Sequence, residues 1–430
     1  MDYNIGPTPD EIVVNLYNKQ RYVTTPIWNV IGVINGSISD EVIVVGNHRD
    51  AWIAGGAADP NSGSAVINEV IRSFGQALNQ GWKPLRTIVF ASWDGEEYGL
   101  VGSTEWVEEY VPWLKHANVA YLNVDVGVKG RNFDAAAAPL LNQLLYDVTA
   151  QVPSPNQTVK GQTVRDTWNG RIRTMGSGSD FTAFQDHAGI PSLDAGFNAG
   201  ADDAVYHYHS NYDSFHWMST YGDPGFVYHR AMAQILGLLT AALADEPLVA
   251  FRATDYADAL QRYVDSIKAK LAAASLALSA FDDDTLPLSA DETVALRTST
   301  RRRSAAVVSS SGRRTDFEAG VARLDRAVWH LKTHATDLDA LAHRLRGDAA
   351  KRLPWWKWPK ELRLGFAIRA VNSKYKQLER NFLYDGGLDG REWFKHVVFA
   401  PGLWTGYAGG ENSPPLPILH PSPPSPPFPA

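Results

Sequence analysis

The chain lacks several features that would point to other classes of protein. It contains no cysteine, which excludes disulfide bonds and thiolate zinc sites. Its net charge of −7 provides no excess of basic residues, so we expect no nucleic-acid partner. The most apolar stretch, AMAQILGLLTAALA (231–244), is too short to cross a bilayer and predicts a buried helix. The first residues carry no basic-then-apolar signal pattern, and we therefore expect no membrane contact from this chain itself.

Strands and helices alternate from about residue 27 onwards. The short apolar segments EVIVVGN (41–47), TIVFASW (87–93) and VAYLNVDV (119–126) predict strands, and WNVIGVI (28–34) predicts another. SGSAVINEVIRSFGQAL (62–78) has apolar residues at helical spacing. This alternation predicts an α/β fold whose sheet is covered by helices on both faces.

Composition shifts near residue 250, where Ala, Leu, Arg and Asp become frequent and helical runs predict a C-terminal helical bundle. The arginine runs at 301–303 and 313–314 predict a solvated loop between helices rather than a nucleic-acid patch. The expected parts are an N-terminal stub of another domain (1–26), the α/β domain (27–250), the helical domain (251–410) and a disordered, proline-rich tail (411–430).

Candidate zinc ligands follow the predicted strands or precede the first helix. In an open α/β sheet the carboxyl ends of the strands meet at one edge, so these residues can converge there. Imidazole and carboxylate groups bind zinc, and a pair of zinc ions needs about five such ligands, one of them shared. We expect His48 and Asp125 at one zinc ion, Glu97 and His209 at the other, and Asp59 between them. The neighbouring Tyr-His pair at 206–207 leaves a second candidate histidine.

Further residues of these segments have expected roles around the ligands. Glu96, beside Glu97, is the expected general base, which takes a proton from the attacking water and passes it to the leaving amine. The Asp50 carboxylate is placed to orient an imidazole ligand. Tyr208 is placed to donate a hydrogen bond to the tetrahedral oxyanion. The glycines of MGSGSD (175–180) would let the backbone approach a substrate.

Each of these residues also has an ordinary explanation when taken alone. A histidine after a strand is usually structural, an Asp-Pro pair is usually a helix start, and adjacent glutamates are usually solvated. Asp125 is harder to explain in this way, because burying a bare carboxylate at the end of an apolar strand costs several kcal/mol. The joint placement at strand ends favours the metal site.

At these segments the chain resembles the glutamate carboxypeptidase II and transferrin-receptor family of co-catalytic zinc peptidases. The resemblance implies two zinc ions per chain, bound by the five ligands above, with Glu96 as base. It also favours His209 over His207. The matching strings are GNHRDAWIAGGAADPNSG, SWDGEEYGLVGSTEW, YLNVDV, GSGSDF, YHSNYDSF and VNSKYKQLERNFLYDGGLDGREWFKHVVFAP (371–401).

The same resemblance implies a fold, an assembly and a location. It implies a mixed sheet of the zinc-exopeptidase type, a helical dimerisation domain, a homodimer and a peptide substrate. Family members are anchored in a membrane with the peptidase on the lumenal or extracellular side. The glycosylation acceptors Asn35 and Asn156 agree with that side, although such triplets are common.

Substrate recognition is expected to depart from that of the glutamate-selective members. The resemblance implies substrate contacts at Gly178, Ser179 and Tyr407. The arginines and the lysine that bind acidic substrates have no basic counterpart here, so we expect weak preference for acidic substrates. The residues at those positions are Ser179, Asp194, Gly196 and Gly406.

The leading hypothesis is a carboxypeptidase, with two alternatives. A catalytically silent receptor or sorting protein of the same fold is disfavoured, because the transferrin receptor lacks the metal ligands that this chain keeps. A zinc aminopeptidase would share the metals but read the amino end of the substrate. Since the family's apical domain would precede residue 27, we expect the chain as given to bind metal but turn over slowly.

Overall fold

The structure is a computed structural model. It describes Val13 and residues 15–280, 290–351, 358–403 and 406–409, and it describes side chains for these residues except 274–280, 290–316, 358 and 406–409. The expected proline-rich tail and half of the expected N-terminal stub lie outside the described residues.

A seven-stranded mixed sheet organises the first half of the chain, and its strand order is β1-β3-β2-β4-β7-β5-β6. Its central strands β3, β2, β4 and β7 run parallel, whereas β1 pairs antiparallel with β3 at one edge and β5 pairs antiparallel with β7. The carboxyl ends of the central strands therefore meet at one edge. The strands are β1 Val30–Ile34, β2 Ile38–His48, β3 Arg86–Trp93, β4 Asn118–Asn123, β5 Asn132–Ala137, β6 Ile172–Arg173 and β7 Ser192–Asn198.

Nine helices lie within the described residues, and a two-stranded ribbon of β8 Pro401–Gly402 and β9 Gly406–Gly409 follows them. Short 3-10 or π turns occur at Pro139–Leu141, Ala183–His187, Met218–Gly222 and Glu379–Phe382. The helices are α1 Asn61–Asn79, α2 Val101–Ala117, α3 Asn142–Thr149, α4 Val164–Thr167, α5 Phe215–Trp217, α6 Val227–Asp245, α7 Ala253–Ala280, α8 Ala290–Ala349 and α9 Trp358–Leu378.

Both faces of the central strands are buried, as the sequence predicts, whereas the edge strand β1 is largely exposed. Along β2, Ile43 and Val45 belong to the apolar core that contains α1 and α6, whereas Val42 and Val44 belong to a second core against α2. Successive side chains of a strand point to opposite faces, so one continuous apolar run supplies both cores. The α/β fold with helices on both faces is therefore confirmed.

The apolar stretch at 231–244 lies in α6 and is buried, with Met232, Ile235, Leu236, Leu239 and Leu243 fully inside the core. Among the described helices, no single one has the length and hydropathy of a membrane span. One bent pair, Phe215–Gly222 with Val227–Asp245, meets those criteria only when the two are taken together.

The C-terminal half is helical, and α7, α8 and α9 share the core of the α/β half through residues such as Tyr256, Ala342 and Tyr375. The Asp339 carboxylate on α8 accepts hydrogen bonds from the Ala253 and Thr254 amides at the start of α7, at 3.0 and 2.9 Å. The expectation of a loop at the two arginine runs is wrong, because residues 301–303 and 313–314 lie within the single long helix α8.

A buried polar cluster joins the two halves. Glu379 Oε1 accepts hydrogen bonds from Gln185 Nε2 at 2.7 Å, Tyr256 Oη at 3.1 Å and His396 at 3.0 Å. The Asp186 side chain lies nearby and is fully buried, but neither of its carboxylate oxygens has a hydrogen-bond partner among the described residues. Burial raises the pKa of Asp186 well above its usual range, with Glu379 adding to the shift and Arg391 opposing it.

Stability should therefore depend on the protonation of Asp186. The folded chain keeps a proton there that the unfolded chain releases above about pH 4. The free energy of unfolding should then fall as pH rises, by at most about 1.4 kcal/mol per pH unit from this group. The Asp186→Asn variant should lose that part of the dependence. Urea unfolding of both proteins between about pH 5 and pH 8 measures it.

The exposed Asp202 provides a matched control, and Asp202→Asn should leave the pH dependence of the parent protein unchanged. If the free energies of unfolding of Asp186→Asn and of the parent chain differ by the same amount at every pH in that range, Asp186 does not carry a proton in the folded state.

Candidate active site

The structure brings the expected metal-binding residues to one edge of the sheet. His48 is the last residue of β2, and Glu96 and Glu97 lie in the turn after β3. Asp125 follows β4, and Asp59 lies in the turn that leads into α1. His209 comes from the loop between β7 and α5. The carboxyl ends of three adjacent parallel strands thus supply most of the site.

Asp59 lies between the two histidines. Its Oδ1 is 3.4 Å from His48 Nε2, and its Oδ2 is 3.2 Å from His209 Nε2. His48 Nε2 is also 2.8 Å from Asp125 Oδ1, and His209 Nε2 is 3.0 Å from Glu97 Oε2. This is the arrangement expected of a bridging carboxylate with one histidine and one carboxylate on either side.

The ligand atoms form two groups that could each hold a metal ion, His48 with Glu96 and Asp125, and Asp59 with Glu97 and His209. Within each group the atoms lie within 4.8 Å of one another. Histidine nitrogen and carboxylate oxygen are suitable donors for zinc. The residues therefore fit a pair of zinc ions, while the assignment of each ligand stays a prediction.

The electrostatics of the site indicate a shortage of positive charge. Burial raises the pKa of Glu97 to about 7, and Asp59 adds to the shift. Burial and Asp125 also raise the pKa of Glu96. Burial acts against a charged imidazole, yet Asp125 and the other carboxylates outweigh it and raise the pKa of His48. Such a cluster of mutually repelling carboxylates is stabilised by a bound dication, which reverses these shifts.

Asp50 contributes differently from the expectation. His48 Nδ1 donates to the backbone carbonyl oxygen of Asp50 at 3.0 Å, whereas the Asp50 carboxylate is 3.6 Å away. That carboxylate instead accepts from the Glu96 and Glu97 amides, at 3.0 and 3.2 Å. The carbonyl fixes the imidazole with Nε2 directed at the ligand cluster, and the carboxylate fixes the two glutamates.

Asn47 is a positioning residue that the sequence did not reveal. Its Nδ2 donates to the Val124 carbonyl oxygen at 2.8 Å, and its Oδ1 accepts from Ser64 Oγ at 2.6 Å. It therefore ties the end of β2 to the end of β4 and to α1. Since any polar residue before His48 looks alike in sequence, no local signal could have found it.

Asp213 is a second positioning residue. It lies in the same loop as His209 and holds that loop against the turn that carries Asp59. Its carboxylate accepts from the Ala58 amide at 2.7 Å and the Asp59 amide at 3.0 Å, and Tyr206 Oη donates to it at 3.1 Å. A Cβ at Gly55 would lie 2.2 Å from the Asp213 carbonyl oxygen, so glycine is required there. The Asp in the string YHSNYDSF carries this signal.

Two residues at the site have a backbone conformation that is unusual for non-glycine residues. Leu100 has φ of 60° and His209 has φ of 54°. Such left-handed conformations cost of order 1–3 kcal/mol and occur often at functional sites. Here they turn the chain sharply at the start of α2 and aim the His209 imidazole at Asp59.

The structure describes two of the three expected substrate contacts, Gly178 and Ser179, and also the expected catalytic Tyr208. The metal-binding residues lie in a cleft that Tyr208 and Gly178 also line. The Tyr208 ring stacks on the His209 imidazole, with the ring centroids 3.6 Å apart. Ser179 is buried, its Oγ accepts from Asn123 Nδ2 at 2.9 Å, and its side chain also hydrogen-bonds the Asp125 carboxylate, so it supports a candidate ligand from within the protein. The Tyr407 side chain lies outside the described residues.

Comparison with known families agrees with this geometry. A model described as peptidase family M28 matches residues 29–222, and a model described as a transferrin receptor-like dimerisation domain matches residues 320–411. Residues 29–222 belong to peptidase family M28. The family expected from the motifs is confirmed, and the second match lies in the helical half of the chain.

Three relatives of the M28 chain have different names. It is 42% identical over 413 residues to "Probable glutamate carboxypeptidase" of Arthroderma benhamiae, covering 94% of this chain and 49% of that protein. It is 30% identical to "Vacuolar protein sorting-associated protein 70" of Saccharomyces cerevisiae, covering 96% of this chain and 47% of that protein. It is 33% identical to "Aminopeptidase NAALADL1" of Mus musculus, covering 62% of this chain and 38% of that protein. The chain thus spans about half the length of the first two and less of the third.

Proposed function

We propose that this M28 chain carries the catalytic domain of a di-zinc exopeptidase, a carboxypeptidase that removes residues from a peptide terminus. The observation that carries the proposal is the position of Asp59, within 3.4 Å of His48 and 3.2 Å of His209, between two groups of zinc-type ligands. Zinc ions bound there would polarise the scissile carbonyl and lower the pKa of the attacking water.

Glu96 is the group that moves protons in this proposal. It lines the cleft, is largely buried, and its Oε2 is 3.9 Å from His48 Nε2. The Asp50 carboxylate holds its backbone in place. Glu96 would accept a proton from the attacking water and deliver it to the departing amine. Tyr208, half exposed on the other side of the cleft, would donate a hydrogen bond to the developing oxyanion.

The purified protein should hold about two zinc ions per chain, because two histidines and three carboxylates suffice for a bridged pair. Elemental analysis after dialysis against trace zinc measures the stoichiometry. The His207→Ala variant is a matched control, since His207 lies outside both ligand groups. A stoichiometry near zero would exclude the enzyme.

The aminopeptidase is the second candidate, and the relative named as an aminopeptidase favours it. The two activities differ in which peptide end must be free. Peptides blocked at the amino end should be hydrolysed by a carboxypeptidase, and peptides blocked at the carboxyl end should not. The opposite pattern would establish the aminopeptidase. If the zinc-loaded protein hydrolyses neither kind of blocked peptide, the catalytically silent receptor or sorting protein would be favoured.

Homodimerisation through the helical half is part of the proposal. The dimerisation-domain match supports it, as do exposed apolar side chains on α8 and α9, among them Trp329, Leu362 and Phe366. Sedimentation equilibrium should give twice the chain mass, and a monomer at micromolar concentration would contradict this part.

A lumenal or extracellular site of action is also proposed. The acceptor residues Asn35 and Asn156 are both exposed, so each is accessible for glycosylation. Glycosidase treatment of the protein from its native source should lower its mass, and an unchanged mass would contradict glycosylation.

A further inference from the structure

The walls of the cleft carry no cation. The cleft encloses about 780 Å³, and its lining among the described residues contains neither lysine nor arginine. Its acidic lining residues are Asp59, Glu96, Glu97 and Asp125, all of which belong to the metal-binding or proton-transfer set. The rest of the lining is apolar, aromatic or small, and includes Trp52, Ile53, Leu100, Ser177, Gly178 and Tyr208.

Trp52 is the most prominent of these residues. Its side chain is about half exposed in the cleft, and its ring meets the His209 imidazole edge-on with centroids 6.2 Å apart. Its backbone amide donates to Glu97 Oε1 at 3.2 Å, which fixes its position relative to the ligands. A large apolar surface thus stands beside the ligand cluster and is open to a substrate.

Tyr98 extends this surface outward. Its ring packs on Trp52 with centroids 4.8 Å apart at 47°, and 75% of its surface is exposed. Aromatic rings attract one another at such distances through edge-to-face or offset contacts, and large exposed rings gain by being covered. The pair therefore offers a third aromatic ring both burial and favourable ring geometry.

A charged substrate side chain would make fewer favourable contacts in the cleft. An acidic side chain needs fixed guanidinium or ammonium donors, which the described part of the lining lacks. An arginine at position 196 would not fit, because a Cβ at Gly196 would lie 2.4 Å from the Val126 carbonyl oxygen. A cationic side chain would meet only carboxylates that zinc ions neutralise.

We propose that Trp52 and Tyr98 form an aromatic subsite that selects substrates with an aromatic side chain next to the scissile bond. The proposal rests on the proposed peptidase function for its setting and adds the substrate class. Trp52 contacts the substrate side chain from inside the cleft, and Tyr98 covers its outer edge.

Hydrolysis of a dipeptide panel tests the subsite. Each of the two residues of the dipeptide is varied in turn among phenylalanine, alanine and glutamate. At one of the two positions, phenylalanine should exceed alanine in kcat/KM by about 10–200-fold, the range of a hydrophobic pocket, and glutamate should be poorer than alanine. Trp52→Ala should remove most of that advantage, measured as the ratio of kcat/KM for the phenylalanine and alanine substrates. Trp52→Phe should keep it, and Tyr98→Ala should reduce it.

Tyr110 is a matched control, since it is an exposed aromatic residue on α2 outside the cleft lining. Tyr110→Ala should behave like the parent protein. Equal kcat/KM for phenylalanine and alanine at both positions, or an unchanged advantage in Trp52→Ala with normal zinc content, would overturn the subsite.

Binding separates the subsite from the peptidase activity. Zinc-loaded protein is titrated with the hydroxamates of phenylalanine, alanine and glutamate in a calorimeter. The phenylalanine hydroxamate should bind most tightly, and Trp52→Ala should abolish its advantage. If this order is found while no peptide is hydrolysed, the subsite stands and the proposed function fails. Equal affinities, or no binding of any of the three, would overturn the subsite.

Discussion

Replacing Glu96 by glutamine should lower kcat about 10²–10⁴-fold and leave the zinc content unchanged. Glutamine keeps the size and the backbone anchoring by Asp50, but its amide cannot accept and return a proton. The loss should appear in kcat and kcat/KM alike, because the proton moves only as the transition state forms.

Glu97 provides the matched comparison, since it is the neighbouring residue with the same side chain. Its Oε2 lies 3.0 Å from His209 Nε2, whereas Glu96 Oε2 lies 3.9 Å from His48 Nε2. Glu97→Gln should therefore weaken one zinc site and lower activity through metal loss, which added zinc should partly restore.

Elemental analysis and kinetics of the two variants decide the assignment. Glu96 can be grouped geometrically with His48 and Asp125, so a ligand role is the alternative that must be tested. Loss of zinc in Glu96→Gln with retention in Glu97→Gln would show that the two glutamates have the opposite roles.

Replacing Arg86 by alanine should lower the free energy of unfolding by about 3–5 kcal/mol, the usual effect of removing one partner of a buried ion pair. Arg86 is fully buried at the start of β3, and its Nε donates to Glu41 Oε2 at 2.6 Å. Its Nη1 donates to the carbonyl oxygens of Leu243 and Glu246 at the end of α6, at 2.9 and 2.6 Å. Alanine would leave a buried carboxylate and two helix-end carbonyls without donors.

Urea denaturation measures this change, and two further variants sharpen it. Arg72→Ala removes an exposed pair with Glu69 on α1 and should give no resolvable change. The double variant Glu41→Leu with Arg86→Met removes both charges and should recover part of the loss, since no unpaired carboxylate remains. A double variant as unstable as Arg86→Ala would show that the Glu41 charge is not the cause.

The effect of Arg86 on stability should be independent of metal binding at the site. Arg86 lies at the amino end of β3, and the glutamates follow its carboxyl end. Arg86→Ala should therefore lower stability without changing the zinc stoichiometry under native conditions, whereas Glu97→Gln should lower the zinc stoichiometry itself. Metal analysis of Arg86→Ala below its unfolding transition checks this independence.

The sequence by itself determined the elements whose causes are local. The apolar run of β2 predicted a strand buried on both faces, because its alternate residues must enter two different cores. The spacing in α1 predicted a helix, since Val66, Val70 and Phe74 fall on one buried side. Three of the candidate ligands, His48, Glu97 and Asp125, were also readable, because they stand at the ends of strands that meet at one edge of the sheet.

The tertiary structure alone decided which side chains meet. Asp125 contacts His48 across 77 residues, and the Asp213 carboxylate holds the Asp59 amide across 154 residues. Neither pairing follows from local periodicity, because it depends on how sheet and loops pack. The same holds for Ser179, whose Oγ accepts from Asn123, and for the Asp50 carboxylate, which holds the glutamates. It also holds for the Asp186 carboxylate, which is buried without a hydrogen-bond partner among the described residues. A polar residue has no period of its own, so only the packed fold shows whether it faces substrate, metal or core.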